Sequence, residues 1–466
     1  MIVMKFGGTS NEDAAAMSNV VRIVKSHLSF QPVVVISAIA KATNELEKTA
    51  RIAALGDETE AIAIVSSLFE RHTRIIDNLI KSRSSAAELE AVLFHHLNEI
   101  KAIVKGISIL RELTPRSKDA ICSYGERLSS RIVAVALQEA GVKALWVDAR
   151  DFMVTDENFG RAEPIVEIVE QRLKDNILPL ISAGSVPVTQ GFIGVTHDGA
   201  YTTMGRESSD YSASIIAAAM NADRVQIWTD VDGILTCDPR VIKNPRKIRQ
   251  MTFAEAFELS YFGAKVLHPN TMLPVLEKGI PVQILNSKRE ASTGTWVNAN
   301  PGAAAPVIKS IAYKNNMVIV TVSPKKRLNQ YLFWEGVFNI LNRHNVLSGL
   351  MVTSEYSISL ALEQKYMTDG LLHELQKLGT AHVMEKKGSV CLVGDGIRSR
   401  SNIIERVFGS LGSMNVALIS FGASDSSLTF VIDEDQIPEA LNRLHEEFFN
   451  VNESSEIFEE VPPVNK

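Results

Sequence analysis

The sequence has few cysteines and no long apolar segment. Its three cysteines, Cys122, Cys237 and Cys391, lie far apart and form no CxxC pair. They indicate neither a disulfide framework nor a zinc-binding motif, and they are typical of a reducing cytoplasm. The longest apolar stretches, such as 33–36 and 132–137, are much shorter than the ~18 to 20 residues that span a bilayer. We therefore expect no membrane helix.

An excess of positive charge is also missing. The 48 Lys and Arg residues are outnumbered by 54 Asp and Glu, and the net charge is -6. No global positive field exists to bind nucleic acid or anionic lipid, so a small molecule or a protein is the expected partner. The N-terminus has no basic segment before its apolar run, which indicates a first β-strand instead of a signal peptide.

Histidine pairs with metal-ligand spacing are absent as well. The adjacent His95 and His96 project about 100° apart on a helix, so they cannot form an i, i+4 metal pair. We expect both side chains to be solvated, and we identify no metal ligand in the sequence.

The 466 residues, 45% of them hydrophobic, suggest about three folding units of roughly 150 residues each. The first 298 residues alternate short β-branched runs with helical patterns. That alternation predicts an α/β unit with a mostly parallel sheet, covered by helices on both faces. A helical insertion is predicted over about 45–118. The strands are predicted at 2–6, 33–36, 144–147, 178–182, 224–228 and 282–284.

The last third of the chain repeats itself at an offset of 70 residues. Val337-Phe338 recurs as Val407-Phe408, and Asn345-Val346 recurs as Asn415-Val416. A Pro, Gly and Ala-rich segment precedes the repeats and predicts a linker over 299–312. We therefore predict two small α+β modules, 313–385 and 386–451, with residues 452–462 as a possible edge strand of the first.

The segment Lys5-Phe6-Gly7-Gly8-Thr9-Ser10 follows the first predicted strand. Its glycines allow backbone N–H groups to approach an anion, and Lys5 supplies a cation beside them. A tight turn with a solvated lysine is the alternative. The chain has no Walker phosphate loop and no protein-kinase signature.

Two further segments carry groups that suit an amino acid or a nucleotide. In 204–212, Arg206 could bind a carboxylate bidentately and Asp210 could orient an ammonium, although either Ser209 or Asp210 could simply cap a helix. In 228–240, an Asp-x-Asp-Gly turn lacks the glutamate that an EF-hand needs, because position twelve is Val241. We interpret that turn as a nucleotide contact.

Seven segments in this order resemble the aspartate kinases of the amino-acid kinase family: KFGGTS, SYGE (123–126), FGRAEP (159–164), TQGFIG (189–194), GRESSD (205–210), WTDVDG with DPR (228–240) and FGAKVLHP (262–269). The repeated modules resemble a tandem pair of ACT domains, which implies a ferredoxin-like α+β fold for each. The resemblance implies an αβα sandwich that uses ATP and Mg²⁺ to phosphorylate the β-carboxylate of L-aspartate. It also implies a cytoplasmic homodimer or tetramer, joined through the ACT modules, that begins the synthesis of lysine, threonine, methionine and diaminopimelate. The chain ends too early for a fused homoserine dehydrogenase.

The resemblance also implies a role for individual residues. Lys5 would stabilise the transferring phosphoryl group, Lys265 would lie near the leaving phosphates, and Asp210 would hold both lysines. Arg206 would bind the α-carboxylate of aspartate, and Glu126 would bind its ammonium. The other substrate contacts would be Ser37, Thr43, Phe192 and Ser209, and the nucleotide contacts would be Gly7, Gly8, Thr229, Asp230, Leu235 and Arg240.

Some positions depart from the family pattern. Glu207 stands where glycine is usual, and Leu235 replaces a frequent tyrosine. Gly349 occupies the position of an aspartate that binds the effector in lysine-inhibited relatives, so lysine, threonine or no effector all stay open. The remaining candidate effector contacts are Ser348, Ser354 and Glu355. Other enzymes of the amino-acid kinase family, and a catalytically silent amino-acid sensor, are the alternative functions.

Overall fold

A computed structural model of the chain describes residues 1–205, 208–262, 267, 269–299, 308–325, 329–346, 348–400, 402–449 and 457–460. The chain divides into two compact units. The first consists of Met1–Gly233 and His268–Ala299, and the second of Ile234–Leu267 and Asn300–Lys466. None of the helices in the described ranges is long and apolar enough to cross a membrane.

Elements are numbered in chain order. The strands are β1 Ile2–Phe6, β2 Pro32–Ile36, β3 Ala144–Trp146, β4 Val186–Gln190, β5 Ile193–Val195, β6 Tyr201–Thr203, β7 Arg224–Thr229, β8 Arg246–Ile248, β9 Gln250–Thr252, β10 Val282–Asn286, β11 Thr295–Asn298, β12 Ser310–Pro324, β13 Leu350–Thr353, β14 Ile358–Glu363, β15 Gly379–Val393, β16 Leu418–Phe421, β17 Ser427–Asp433 and β18 Phe458–Glu460. The helices are α1 Ala14–Ser26, α2 Ala42–Ala54, α3 Glu58–Leu79, α4 Arg83–Leu110, α5 Pro115–Cys122, α6 Tyr124–Glu139, α7 Val166–Asn176, α8 Leu178–Ser182, α9 Ser208–Ala219, α10 Phe253–Tyr261, α11 Pro269–Glu277, α12 Gln330–Arg343, α13 Asp369–Leu378, α14 Asn402–Leu411 and α15 Ile437–Phe449.

The first unit is built on seven strands in the order β3-β4-β2-β1-β7-β10-β11. Every pair in this series is parallel except β10 with β11. The central strands β1 and β2 are buried along their whole length, which explains why they are continuous apolar runs without alternation. The mostly parallel α/β fold predicted from the sequence is confirmed. Its consequence is that the carboxyl ends of β1, β2, β7 and β10 meet at one edge.

One predicted strand of this unit is wrong. Residues Leu178–Ser182 form the short helix α8, with Pro179 in its first turn, and the strand follows at Val186–Gln190. Proline is well tolerated at the start of a helix, where its missing N–H would have no intrahelical partner. A run of five residues, three of them aliphatic, is also too short for its periodicity to separate helix from strand.

The prediction that both histidines of α4 are solvated is wrong for His96. Its side chain is buried, and its Nδ1 lies 2.8 Å from Oε2 of Glu99, whereas His95 is exposed. Burial lowers the pKa of His96 to about 4, so the ring is neutral at pH 7. One residue of difference on the helix therefore separates a core histidine from a surface one.

The second unit contains a six-stranded antiparallel sheet in the order β13-β14-β12-β15-β17-β16. Two strands of 15 residues, β12 and β15, form its centre and pair from Ser310 with Val393 to Pro324 with Gly379. Helices α12 and α13 belong to the first copy of the repeat, and α14 and α15 belong to the second. The repeat in the sequence thus appears as two similar halves of one continuous sheet.

The tail strand β18 does not add to this sheet, contrary to the prediction for residues 452–462. It pairs with β8 instead, with Phe458 opposite Ile248. The Phe458 ring is buried beneath the guanidinium of Arg246 and against Phe449. Arg246 and Phe449, which receive this ring, therefore decide where the strand lies, and neither is visible from the tail alone.

Helix α10 is held by a buried ion pair. Thr252 and Glu255 form a capping box at its start. The same Glu255 carboxylate accepts a hydrogen bond of 2.8 Å from Lys309, and the two side chains are 0% and 1% exposed. Lys309 comes directly before β12, so this pair links helix α10 to the first strand of the six-stranded sheet.

Candidate active site at the carboxyl ends of the strands

Backbone hydrogen bonds bring the loops that follow four parallel strands together. The N–H of Gly7, after β1, donates to the carbonyl of Trp228 in β7. The N–H of Ser37, after β2, donates to Phe6 O, and the N–H of Ser287, after β10, donates to Thr229 O. These bonds continue the ladders beyond the strands and fix the loops relative to one another.

Lys5 and Asp210 form an ion pair at the centre of this edge. The Lys5 ammonium lies 2.6 Å from a carboxylate oxygen of Asp210, and the side chains are only 11% and 12% exposed. Lys5 is the penultimate residue of β1, and Asp210 lies in the first turn of α9. Because α9 begins near this ammonium, its N-terminal dipole adds to the positive potential there.

The two glycines after β1 allow neighbouring groups to lie close to the backbone. A Cβ at Gly7 would lie 3.7 Å from the Lys5 Nζ, and a Cβ at Gly8 would lie 3.2 Å from the carbonyl of Ala38. The Gly7 N–H is already used by Trp228, so it is not available to an anion, and this corrects the donor role predicted for it. Of the two glycines, Gly8 is left as the predicted amide donor.

Glu126 lies at the start of α6 and is only 3% exposed. Burial raises the pKa of its carboxyl to about 8, against the opposing effects of the Ala38 and Glu126 backbone amides and of the Lys5 ammonium. Within the described part of the chain, its Oε2 has no hydrogen-bond partner. A buried acid with one unused oxygen, in the field of Lys5, is suited to receive a cationic group of a ligand.

The loop after β4 packs on the start of α9. Phe192 has a left-handed backbone conformation with φ 67°, and its N–H donates to Ser212 Oγ over 2.9 Å. A Cβ at Gly191 would lie 2.6 Å from the Cβ of Ser209. The absence of a side chain at residue 191 therefore allows the predicted contacts Phe192 and Ser209 to lie side by side.

Ser37 and Thr43 frame the segment between β2 and α2. The Ser37 carbonyl accepts a hydrogen bond from Ser129 Oγ over 2.8 Å, which holds the segment against α6. Thr43 lies in the first turn of α2, and both residues are partly exposed. Between them, the Ala38 amide acts on the Glu126 carboxyl. The substrate contacts expected of Ser37 and Thr43 stay predictions.

The predicted nucleotide contacts divide between the two units. Thr229 and Asp230 lie at the end of β7 in the first unit, with the Thr229 hydroxyl 3.3 Å from Asp230 Oδ1. Leu235 and Arg240 belong to the second unit, where Arg240 is 84% exposed and pairs with Asp238 over 2.6 Å. Arg206, Glu207 and Lys265 lie outside the described residues, so their predicted positions are not tested.

Several side-chain contacts at this edge were not predicted from the sequence. Ser10 donates to Ser287 Oγ over 2.7 Å, and the Asn11 amide donates to the carbonyl of Gly7 over 2.9 Å. Asp232 accepts from the Asn286 amide and from Arg289, each over 2.7 Å. The signal that could have revealed them is the polar run that begins where strand β10 ends, in line with the ends of β1 and β7.

The FGRAEP segment is held by a buried carboxylate. Asp119 accepts hydrogen bonds from Gly160 N, Thr203 N and Thr203 Oγ1. Burial raises the pKa of this carboxyl, and these bonds oppose the shift. Asp119 therefore ties the segment to strand β6, which leads to the loop before α9.

The candidate effector residues lie in the second unit. A Cβ at Gly349 would lie 1.5 Å from the Tyr261 hydroxyl, so the phenol fills the space of any side chain at residue 349. The Ser348 hydroxyl donates to Leu350 O, and the Ser354 hydroxyl lies 2.8 Å from that of Ser357. Glu355, next to it, is exposed.

Comparisons with known proteins give two family matches. Residues 1–286 match the amino acid kinase family, and residues 390–448 match the ACT domain.

The similar proteins span nearly the whole chain. Lysine-sensitive aspartokinase 3 of Escherichia coli is 34% identical, over 96% of this chain and 99% of that protein. The chloroplastic aspartokinase 1 of Arabidopsis thaliana is also 34% identical, over 98% of this chain and 81% of that protein. Solved structures of E. coli aspartokinase III agree with the fold. The complex with aspartate and ADP has 35% identity, a TM-score of 0.82 and coverage of 96% of this chain and 100% of that one. The complex with lysine and aspartate has 34% identity and a TM-score of 0.83, with coverage of 96% and 99%.

Proposed function

Because the chain belongs to the amino acid kinase family, and within it to the aspartokinases, we propose that it transfers the γ-phosphoryl group of ATP to the β-carboxylate of L-aspartate. The products are ADP and 4-phospho-L-aspartate. The observation that carries this proposal is the buried Lys5–Asp210 ion pair in the field of the Glu126 carboxyl, whose Oε2 has no hydrogen-bond partner among the described residues.

The chemistry requires positive charge more than it requires a base. A β-carboxylate is already ionised at pH 7, so no residue has to remove a proton from the nucleophile. The barrier lies in bringing an anion against an anionic phosphoryl group and aligning the two. Lys5 is held by Asp210 before substrate arrives, so its ammonium stabilises the charge on the transferring group without reorganisation.

Substrate recognition follows from the groups around this pair. The aspartate ammonium pairs with Oε2 of Glu126, and the proton of the Glu126 carboxyl passes to solvent as the cation binds. We assign the α-carboxylate to Arg206, whose guanidinium matches a carboxylate bidentately. The hydroxyls of Ser37, Thr43 and Ser209, with the backbone at Phe192, complete the proposed pocket.

The nucleotide lies, in this proposal, along the ends of β1 and β7. The Gly8 N–H donates a hydrogen bond to the phosphates, and Lys265 lies near the leaving phosphates. Thr229, Asp230, Leu235 and Arg240 complete the nucleotide contacts. Mg²⁺ enters with ATP. The exposed Asp230 carboxylate and the Thr229 hydroxyl offer the oxygen ligands that Mg²⁺ prefers, and when bound the ion would neutralise phosphate charge.

We propose that the ACT unit binds an amino-acid effector and joins copies of the chain into a homodimer or tetramer. Lysine and threonine are the candidates, since the pathway from aspartyl phosphate leads to lysine, threonine, methionine and diaminopimelate. The Tyr261 phenol at Gly349 leaves no room for an acidic side chain there. An effector therefore needs other contacts, for which Ser348, Ser354 and Glu355 are candidates.

One assay separates the candidate functions. ADP release is measured with L-aspartate, N-acetylglutamate or UMP as the acceptor. Turnover with L-aspartate alone supports the proposal, and turnover with another acceptor assigns the chain to another reaction of the family. Absence of turnover with all three, combined with a thermal shift on adding lysine or threonine, identifies an amino-acid sensor.

A further inference from the structure

The loop that follows β10 carries a lysine to which nothing above assigns a role. Asn286, the last residue of β10, pairs in register with Thr229 of β7. The next residue, Ser287, donates from its hydroxyl to Thr229 O over 3.0 Å and accepts from Ser10 Oγ over 2.7 Å. Lys288 therefore follows directly from a position fixed between the ends of β1 and β7.

The same loop is anchored on its far side. Glu290 accepts from the Ser26 hydroxyl over 2.7 Å and pairs with Arg22, both in α1. The Lys288 N–H donates to the Asn286 side chain over 2.8 Å. Because the loop is held on both sides of Lys288, the backbone of this residue has a fixed position.

The two cationic side chains of this loop, Lys288 and Arg289, differ in how firmly they are paired. Arg289 lies 2.7 Å from Asp232, whose side chain is only 8% exposed and also accepts from Asn286. That guanidinium is therefore committed to a buried carboxylate. Lys288 is 51% exposed, and its partner Glu12, at 2.9 Å, is 35% exposed. An ion pair this exposed contributes little to stability and exchanges partners readily.

The surroundings of Lys288 connect it to the nucleotide. The carboxylates that act on its ammonium are Glu12, Asp13 and Asp230. Asp13 is engaged as the N-cap of α1, and Asp230 is one of the proposed nucleotide contacts. Polyphosphate brought to this edge would face several carboxylates, and it needs a mobile cation to offset them.

We propose that Lys288 binds the phosphate chain of the nucleotide, and that Glu12 holds its ammonium until the nucleotide arrives. This assignment rests on the nucleotide-dependent reaction proposed above and adds a binding residue to it. On binding, the ammonium exchanges one carboxylate for phosphate oxygens, and no covalent bond changes. Lysine suits this role because it is a compact charge on a flexible stem.

Binding calorimetry with ADP and with adenosine, in the absence of aspartate, tests the proposal. Lys288→Met should weaken ADP binding by about 10-fold or more, the usual effect of losing one hydrogen bond to a charged group. Adenosine, which has no phosphates, should bind equally to both proteins. Lys288→Arg should keep most of the ADP affinity, and Glu12→Gln should bind ADP as tightly as the parent chain or more tightly.

Lys105→Met, in α4 and exposed, serves as a charge-matched control. Unchanged ADP affinity in Lys288→Met, or equal losses for ADP and adenosine, would overturn the assignment. A parent chain that binds ADP but does not phosphorylate aspartate would contradict the proposed function while leaving this contact open to the same test. A parent chain that binds no ADP would contradict both.

Discussion

The ammonium of Lys5 and the carboxylate of Asp210 lie 2.6 Å apart, although one is in the first strand and the other begins a helix far along the chain. Packing of the apolar core does not account for these two side chains, because both are charged and yet almost buried. Burying such a pair costs desolvation free energy that a structural role alone seldom returns. The pair lies at the carboxyl edge of a parallel sheet, where ligands bind in such folds, and the catalytic role proposed for it would account for its burial.

Replacing Lys5 by methionine should lower kcat by at least about 10²–10³-fold, since one preorganised charge at the transferring group is lost. Steady-state ADP release with saturating aspartate and ATP measures the effect. Circular dichroism should show a folded chain. Lys5→Arg keeps the charge but not the geometry, and it should recover only part of the rate. A reduction of kcat below about 5-fold in Lys5→Met would remove the role assigned to this lysine.

The KM for aspartate should fall as the pH rises from 6 towards 8. Burial holds the pKa of Glu126 at about 8 instead of 4.5, so below pH 8 a proton must leave before the carboxylate can pair with the substrate ammonium. In Glu126→Gln the KM should be high and independent of pH over this range. A parallel pH dependence in both proteins would assign the titration to another group.

The same residue should make the unliganded chain less stable as the pH rises. The folded chain holds the Glu126 proton up to about pH 8, whereas the unfolded chain loses it near 4.5. This contribution to the free energy of unfolding is therefore fully present below pH 4.5 and is lost by about pH 8. Denaturant unfolding at several pH values should show a smaller decline for Glu126→Gln.

Gly349→Ala should destabilise the second unit by about 1–3 kcal/mol, because its Cβ would overlap the Tyr261 phenol and force it aside. Tyr261→Ala in the same chain should remove most of that penalty. Thermal unfolding of the two single variants and the double variant measures the coupling. Additive effects would show that the two residues do not compete for one space.

Lys309→Met should destabilise the chain by about 3–5 kcal/mol, since it leaves the fully buried Glu255 carboxylate without its cation. Adding Glu255→Gln removes the uncompensated charge while keeping an acceptor for the Thr252 N–H. The double variant should therefore be more stable than Lys309→Met alone. If it is less stable, the two side chains are not electrostatically coupled.

Much of the fold was visible in the sequence because it depends on local patterns. Continuous β-branched runs separated by helical segments predicted the parallel sheet, and the repeat at an offset of 70 predicted two similar modules. The same patterns failed where a segment is short, as in α8, and where one residue decides exposure, as in His96.

The candidate site was visible only as isolated segments. The glycine pair and the residues around Asp210 each had an ordinary alternative, and only the resemblance joined them to each other and to Glu126. The serine, aspartate and lysine residues around the ends of β7 and β10 were missed because each is unremarkable in its own segment.

The sequence by itself determined which segments are strands and helices for most of the chain, where glycine permits close approach, and which residues can carry charge. Tertiary structure alone decided that Lys5 pairs with Asp210, that Trp228 takes the Gly7 N–H, that the tail pairs with β8, and that Tyr261 occupies the space beside Gly349. The physical reason is the range of the interactions. Periodicity and turn chemistry act between near neighbours in the chain, whereas ion pairs, burial and steric exclusion depend on which distant segments the packed core brings together.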